Sequence, residues 1–333
     1  MKRAEGFSLV ELLVALAVTG LVLGATLGSF NDALGLQEKA ALMADLEQNL
    51  RSGMSLMVRD FVQTASGIPT GGIPIPSGAG ALPISRPGPP GTSYKFSDTT
   101  VAAVNPGAAL GPIVNGPATD IVNLIYADNT LPLNQTPLAA IASDGSSMTV
   151  SSGTPIGGAN GIRPGDLIMF NNSHGDALQQ VTGVSGQTVN FASGDSLNLN
   201  QPGAPQGSIM NLRDGTTFQS TSAIRVWMVT YYLDTTDPES PRLMRRTNNR
   251  PGETVALVLE DLQLSYDLVD GVTNPTGIDT PTAPNSPNQI RKVNILLTGR
   301  SSYGLRNNNA YLRKSLRTQV SLRSLSFVNR YPV

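Results

Sequence analysis

The sequence predicts an α+β fold, in which one long N-terminal transmembrane and amphipathic helix packs on an antiparallel β-sheet head that carries an inserted small β module. Two patterns favour this class. Apolar residues dominate positions 7–30 and then recur at spacings of three and four, as on one face of a helix. From residue 120 onward, short runs of alternating apolar and polar residues are separated by turns rich in Gly, Asn, Asp and Pro, which is typical of antiparallel sheet.

Composition excludes several kinds of chemistry. The chain has 333 residues, no cysteine and a single histidine, His174. Disulfides, thiolate chemistry and Cys-based metal sites are therefore excluded, and imidazole catalysis has one candidate, which we place in a loop. The motifs of serine hydrolases, zinc proteases, P-loop proteins and dinucleotide-binding folds are absent from the sequence. We predict a non-enzymatic protein with no catalytic residue, metal or cofactor.

The first apolar segment, residues 7–30, is long enough to span a bilayer at about 1.5 Å per residue. Lys2 and Arg3 precede it, so the N-terminus is expected on the cytoplasmic side. Glu11 is the one charged residue inside the segment. A carboxylate in hydrocarbon costs about 2.5–3.5 kcal/mol, which indicates a functional role. A secretory signal peptide or a simple anchor gives Glu11 no such role.

A cut between Gly6 and Phe7 would give Glu11 a partner. It would create an α-amine at Phe7, four residues before Glu11 and on the same helix face, and the neighbouring subunit of an assembly would offer the same amine. The stretch EGFSLVELLVALAVTGLVLG resembles the class III leader of type IV prepilins. The resemblance implies that residues 1–6 are a leader removed by a prepilin peptidase, that Phe7 is N-methylated, and that Glu11 acts in filament assembly.

Three glycines in the apolar segment form two overlapping G-x-x-x-G steps: Gly20, Gly24 and Gly28. Many major pilins carry a proline near the position of Gly28, so the chain departs from them here. We interpret the glycines as sites of close helix packing in a filament, or as a point where the helix can extend. The alternative is that a lipid-facing helix tolerates them.

The helix is predicted to continue through residues 31–65 as an amphipathic half. Its apolar stripe is expected to pack on the head and consists of Met43, Leu46, Leu50, Met54, Met57 and Phe61. Its polar side is predicted to consist of Glu38, Lys39, Asp45, Glu47, Arg51, Arg59 and Asp60. A Pro/Gly-rich segment begins after Ala65, so we place the helix end there, which gives one helix of roughly 85–90 Å at 1.5 Å per residue.

The remainder divides into three predicted segments. Residues 66–140 form a Gly/Pro-rich loop and the first strands of the head, residues 141–212 a separate inserted β module, and residues 213–333 the antiparallel sheet of the head. The predicted strands lie at 120–128, 166–170, 179–184, 187–191, 223–233, 262–269, 289–299 and 311–325.

Several segments of the head resemble PilW-type minor pilins, in the same order along the chain: Met57–Gly67 with its Arg-Asp pair, Val229–Thr247, Leu257–Gly271, Ile290–Ser301 and Ser315–Leu325. The resemblance implies a pilin-like fold and a minor pilin that takes part in initiation or in the tip complex of a type IV pilus. The implied partners are the prepilin peptidase, other minor and major pilins, and the inner-membrane assembly platform.

The implied location is the inner membrane, with one span and a periplasmic head, and then the pilus at the cell surface. Two alternatives remain. One is a J-type pseudopilin of a type II secretion system, which shares the Arg-Asp helix end. The other is a tip adhesin that binds a surface ligand through residues 141–212.

Two other segments, one rich in Asp and one basic, are candidate binding sites. The Asp-rich segment Asp234–Ser240 lacks the ligand order of an EF-hand, so we interpret it as a β-turn. The basic segment 311–323 places apolar residues on one strand face (Leu312, Leu316, Val320 and Leu322) and cations on the other (Arg313, Arg317 and Arg323). With few aromatic residues nearby, we expect this strand to face solvent or a neighbouring subunit, and we expect no nucleic-acid partner.

Overall fold

The structure, a computed structural model, describes residues 8–135, 138–158, 160–306 and 308–326. Its first element is α1 (Leu9–Gln63), a helix of 55 residues. The described chain divides into two compact units, one with residues up to Gln48 together with Arg300–Lys314, and the other with Asn49–Gly299 and the residues from Ser315 onward. A short helix, α2 (Arg323–Ser326), follows the last strand.

The strands between the two helices are short in the first part of the chain and long in the second. In chain order they are β1 (Ile73–Pro74), β2 (Ser85–Arg86), β3 (Tyr94–Lys95), β4 (Thr100–Val101), β5 (Val104–Asn105), β6 (Val122–Ala127), β7 (Ala140–Ile141), β8 (Ser147–Thr149), β9 (Leu167–Asn172), β10 (Gly175–Gln180), β11 (Gly183–Ser185), β12 (Thr188–Asn190), β13 (Arg213–Asp214), β14 (Thr217–Phe218), β15 (Ser222–Asp234), β16 (Arg242–Thr247), β17 (Glu253–Leu257), β18 (Leu259–Leu268), β19 (Ile290–Arg300) and β20 (Arg313–Ser321). Short 3₁₀ helices lie at Pro132–Gln135, Ile209–Leu212 and Pro287–Gln289.

The largest sheet has seven strands, ordered β10-β9-β15-β16-β17, with β6 beside β15 and β5 beside β6. Strand β15 is its centre, because β9, β6 and β16 all pair with it antiparallel. This strand is rich in β-branched and aromatic residues, which fit a pleated surface covered on both faces. The predicted fold class, a long N-terminal apolar helix followed by antiparallel sheets, is confirmed.

The segment 141–212 differs from the separate module that the sequence predicts, because its strands lie in two sheets. Strands β11, β12, β8 and β7 form a small four-stranded sheet, while the β9–β10 hairpin joins the large sheet. The physical reason is the apolar run at 167–170, which is buried on both faces. Ile168 and Phe170 pack in one core cluster with the small sheet, and Leu167 and Met169 pack in another.

A three-stranded sheet, β18-β19-β20, completes the head. Burial alternates along β18 and β19, as the sequence pattern predicts. Along β20 the predicted faces are confirmed, since Val320 is buried, Leu316 is half-buried, and the arginines at 313 and 317 are exposed. The strand ends at Ser321, four residues before the predicted end at 325, so Leu322 lies beyond it and Arg323 begins α2. Asp120 connects this sheet to the segment before β6, since its carboxylate accepts the Leu264 N–H at 2.7 Å and its own N–H donates to the Leu262 carbonyl at 2.9 Å.

The second half of α1 buries the predicted stripe, because Leu46, Leu50, Met54, Met57 and Phe61 are all buried. Met43 is only half-buried, and Leu42 takes the buried position one residue earlier.

Two contacts show how closely this part of the helix packs on the sheet. A Cβ on Gly53 would lie 3.0 Å from the Cβ of Ala256 in β17. The side-chain amide of Asn49 pairs with the backbone N–H and C=O of Leu257, both at 3.4 Å, and so satisfies polar groups at the sheet edge.

Candidate assembly site

The first half of α1 exposes apolar side chains on every side. All residues from 8 to 30 are exposed, including Leu9 at 79% and Phe30 at 64%. By length and composition α1 is able to cross a membrane, with a mean hydropathy of 2.2 in its most apolar stretch, none of which is buried within this chain. An exposed apolar surface of this extent requires lipid or another protein surface as its environment. Gly6 and Phe7 lie outside the described residues.

Glu11 lies in the first turn of α1 and forms a capping box with Ser8. The Ser8 hydroxyl accepts the Glu11 N–H at 3.2 Å, and the Glu11 carboxylate accepts the Ser8 N–H at 2.9 Å. These bonds satisfy two of the free N–H groups of the helix N-terminus. Glu11 therefore has a structural partner in addition to the charge partner that the sequence predicts. The S-x-x-E spacing before an apolar run carries this signal, and the sequence reasoning missed it.

Polar groups inside the apolar half are satisfied within the helix itself. The Thr19 hydroxyl donates to the Ala15 carbonyl at 2.7 Å, and the Thr26 hydroxyl donates to the Val22 carbonyl one turn back. Such bonds remove the cost of an unpaired hydroxyl in hydrocarbon.

The three glycines of this half have open surroundings. A Cβ at Gly20, Gly24 or Gly28 would meet nothing within 4 Å. No contact among the described residues requires glycine there, so their role in helix packing stays a prediction about other subunits.

The head-packed end of α1 carries a buried carboxylate, which corrects the prediction that Asp60 lies on the polar side of the helix. Asp60 is 0% exposed. Its Oδ2 atom accepts the Tyr231 hydroxyl at 2.7 Å and the Arg245 Nε–H at 2.7 Å. The preceding residue, Arg59, points outward as predicted, with its side chain 62% exposed. The helix thus places an anion against two side chains of the central strands, and this ion pair fixes how the helix end meets the sheet.

At this joint Tyr231 is kept neutral and Arg245 is kept charged. Burial, together with the neighbouring Asp60, raises the pKa of Tyr231 well above its ordinary value, so the phenol stays neutral and acts as a donor. Burial lowers the pKa of Arg245, but the hydrogen bond and the charge of Asp60 outweigh that effect and raise it. Arg245 also reaches the hydroxyls of Thr247 at 3.0 Å and Tyr126 at 3.5 Å.

Helix α1 ends at Gln63, two residues before the predicted end.

A second buried ionic network lies around Arg225 of β15, which is 3% exposed. Arg225 binds Asp128 through Nη2 at 2.5 Å and Nε at 2.7 Å, the Gly161 carbonyl through Nη1 at 2.8 Å, and Asp166 at 3.5 Å. Asp166, which is 0% exposed, also accepts the Arg163 N–H at 3.0 Å.

The same network includes Arg250 and the tryptophan next to Arg225 on the sheet. Arg250 forms an ion pair with Asp166. The guanidinium carbons of Arg225 and Arg250 lie 4.6 and 5.3 Å from the ring centroid of Trp227. Asp166, which lies within the predicted module 141–212, is therefore a link between β9, β15 and the loop after β16.

Stability should depend on acid pH through carboxylates whose pKa is lowered in the fold. Burial raises the pKa of Asp128, but hydrogen bonds from Thr130 and Arg225 outweigh it and lower the pKa overall. Backbone N–H groups of Asn274 and Val272 lower the pKa of Asp270 to about 2. A carboxyl with a lowered folded-state pKa contributes stability above its unfolded pKa of about 3.9, and this contribution is lost as pH falls through the folded value.

We therefore expect the free energy of unfolding to decrease between about pH 4 and pH 2. Asp120 opposes this trend in part, since burial raises its pKa. Urea unfolding of the detergent-solubilised chain at a series of pH values measures the slope. Asp270→Asn should make the slope shallower, because the variant has no carboxyl to titrate at that turn; an unchanged slope in Asp270→Asn would contradict the assignment.

Two residues that the sequence analysis singles out, His174 and Asp234, lie in turns. His174 lies in the tight turn between β9 and β10 and is exposed, so its prediction as a loop residue is confirmed. Asp234 accepts the Thr236 N–H at 2.9 Å and pairs with Arg242 at 3.2 Å, which are the bonds of a turn. Within the described residues, no group of three or more His, Asp or Glu side chains is arranged to hold a metal ion.

Comparison with known proteins adds one specific finding. Residues 1–27 match the family described as Prokaryotic N-terminal methylation motif. A search of the curated proteins gives no significant match. Among solved structures the chain is similar to a type IV-like pilin from Thermus thermophilus, with 10% identity over 48% of this chain and 84% of that chain, and a TM-score of 0.20. That TM-score does not establish a shared fold, whereas the motif match assigns a methylation signal to the first 27 residues.

Proposed function

We propose that this protein is a minor pilin of the PilW type, a structural and non-enzymatic subunit that takes part in the initiation or tip complex of a type IV pilus. One observation carries the proposal. The methylation motif at residues 1–27 runs into a helix whose first half is apolar and exposed on every side, while one face of its last part, from Leu50 to Phe61, is buried. A helix of this kind suits a subunit stored in the membrane and then transferred to a filament core.

The partners follow from the same segment. The motif implies processing by a prepilin peptidase, which exposes the amine of Phe7 for methylation. The apolar half of α1 offers its surface to lipid before assembly and to the helices of other minor and major pilins afterwards. We propose that the inner-membrane assembly platform brings the subunit to the filament, with the head on the periplasmic side.

Gly6→Val should block maturation. The peptidase must accommodate a residue without a side chain at the position before the cut, and a branched side chain there obstructs the backbone. Immunoblotting of membranes should show a form that retains the leader MKRAEG, in contrast to the mature wild-type protein. Lys2→Ala is the control, because it changes the leader away from the cut and should leave cleavage intact. Normal maturation of Gly6→Val would contradict the assignment of the cleavage site.

The role in the pilus is tested by deleting the gene and counting pili by electron microscopy. We expect few or no surface pili, restoration by the wild-type gene, and detection of the protein in sheared filaments at low abundance. Normal piliation with a loss of protein secretion would instead support a J-type pseudopilin.

The adhesin alternative needs finer variants than deletion of residues 141–212, because that deletion also removes β9 and β10 from the large sheet. Substitutions on the exposed surface of the small four-stranded sheet are the suitable test. Normal piliation without adhesion would support a binding role for the module.

A further inference from the structure

The head contains a cavity of about 390 Å³ between the Pro/Gly-rich loop 87–93 and the turn after β16. Its wall includes Arg86 from β2 and Arg246 from β16, together with Tyr94 and Tyr232. None of the described residues that line it is an Asp or a Glu. Arg86 is one of only three cations between Ser66 and Leu212, and the fold places it at the same cavity as a second arginine from a distant strand.

Among the described residues, no carboxylate forms an ion pair with either guanidinium. Arg86 donates to neutral oxygens only, at Pro106 and Asn105 (both 2.5 Å), Ile121 (3.4 Å) and the side chain of Asn123. Burial lowers the pKa of Arg86 to about 10, so it remains charged at neutral pH. Carbonyl oxygens satisfy N–H groups but leave the positive charge uncompensated.

Arg246 has the same type of environment. Its guanidinium donates to the Arg250 carbonyl at 2.7 Å, the Gly88 carbonyl at 3.2 Å, and Asn249 through Oδ1 at 2.6 Å and the carbonyl at 3.3 Å. A guanidinium has five N–H groups. Four hydrogen bonds are found for each of the two arginines, so one Nη1 hydrogen of each has no acceptor among the described residues.

Tyr232 adds a third donor. Its side chain is 2% exposed and lines the cavity, yet its hydroxyl has no hydrogen-bond partner among the described residues. Burial raises its pKa, so the phenol is neutral and free to donate. The charge of Asp234 also raises the pKa of Tyr232, and Asp234 is itself paired with Arg242 at 3.2 Å. A side chain at Gly252 would come within 2.9 Å of this hydroxyl, so glycine keeps the approach to it open.

We propose that this cavity binds a small oxyanion, up to the size of a sugar acid, whose carboxylate, sulfate or phosphate group lies between Arg86, Arg246 and the Tyr232 hydroxyl. An oxyanion supplies the negative charge that the cavity lacks and accepts from donors that have no other partner. The volume is in the range of small-molecule sites, and the proline rings and Tyr94 offer apolar faces for a ring. This site lies almost entirely outside residues 141–212 and does not depend on the proposed role in the pilus.

The test uses the full chain in detergent, titrated by calorimetry with sodium glucuronate, sulfate and phosphate at constant ionic strength. Glucose is the neutral match for glucuronate. We expect saturable binding of at least one anion, with tenfold or more weaker binding in Arg246→Gln and weaker binding in Tyr232→Phe. The control Arg242→Gln removes a cation from the same strand outside the cavity and should bind normally.

The three anions distinguish the source of the ligand. Binding of glucuronate but not of sulfate or phosphate identifies a sugar acid, and the reverse identifies an inorganic oxyanion; either result supports the site. Thermal unfolding followed by Trp227 fluorescence establishes that each variant is folded. If Arg246→Gln fails to fold, the comparison of Tyr232→Phe with wild type decides, since that change keeps the ring and removes only the hydroxyl. No saturable binding of any anion, or equal loss in Arg242→Gln, overturns the proposal.

Discussion

Arg225→Met is expected to lower the free energy of unfolding by about 3–5 kcal/mol. The substitution keeps an unbranched side chain of similar length, but it removes the cation that pairs with Asp128 and one of the two cations that pair with Asp166. Asp128 and Asp166 are 5% and 0% exposed, so water does not replace the lost bonds. Among the described residues, Asp128 then retains Thr130 as its one donor, whereas Asp166 retains Arg250 and the Arg163 N–H.

Urea unfolding followed by circular dichroism measures this loss. Trp227 fluorescence is not suitable for this variant, because removal of the guanidinium beside the ring changes that signal directly. Arg242→Gln is the matched control: it breaks a pair on the same sheet in which the arginine side chain is 35% exposed, and it should cost less than about 1 kcal/mol.

The double variant Arg225→Met, Asp128→Leu should recover part of the loss, since it removes the unpaired charge as well. Equal stability losses in Arg225→Met and Arg242→Gln would show that the buried network is not important for folding.

The strands of the head could be predicted because the alternation of apolar and polar residues appears within each strand's own sequence. From Leu262 to Leu268 in β18 and from Val293 to Gly299 in β19 every second residue is buried, and this alternation is visible in the sequence without knowledge of the partner strand. The apolar run 167–170 has no such alternation. The sequence predicts a separate module for this run, because nothing in it shows that both faces of the run are covered by different parts of the chain.

The buried ionic pairs could not be predicted for a related reason. Asp60 and Arg245 are 185 positions apart, and Asp128 and Arg225 are 97 apart. A charged residue beside an apolar stripe is usually on the solvated side of a helix. Only the fold shows that Asp60 meets a cation and a phenol there.

Unlike the buried ionic pairs, the capping box of Ser8 and Glu11 can be predicted from the sequence. Both residues are visible in the S-x-x-E spacing, and the described part of α1 begins at Leu9, inside the predicted segment 7–30. The charge pattern alone predicts a different partner for Glu11, the new amine of Phe7. Two functions of one carboxylate, a local cap and a charge for assembly, are therefore compatible and have to be separated by experiment.

Glu11→Ala should give a protein that is cut, stable and inserted in the membrane, yet depleted from sheared filaments by roughly tenfold or more, the factor that about 1.4 kcal/mol of lost interaction produces. The Phe7 amine exists only after the cut, so cleavage does not need the pair. The span also becomes more apolar without the carboxylate, so insertion is at least as favourable. What is lost is the attraction to the amine of a neighbouring subunit in a medium of low dielectric constant.

Two variants separate the charge from the cap. Glu11→Gln retains an oxygen that accepts the Ser8 N–H but has no charge, whereas Ser8→Ala removes one bond of the capping box and retains the charge. If the charge sets the position of an incoming subunit, Glu11→Gln fails to enter filaments as Glu11→Ala does, and Ser8→Ala enters them normally. Entry of Glu11→Gln together with failure of Ser8→Ala would assign the role to the helix cap. Wild-type levels of both Glu11 variants in sheared filaments would show that this carboxylate has no part in assembly.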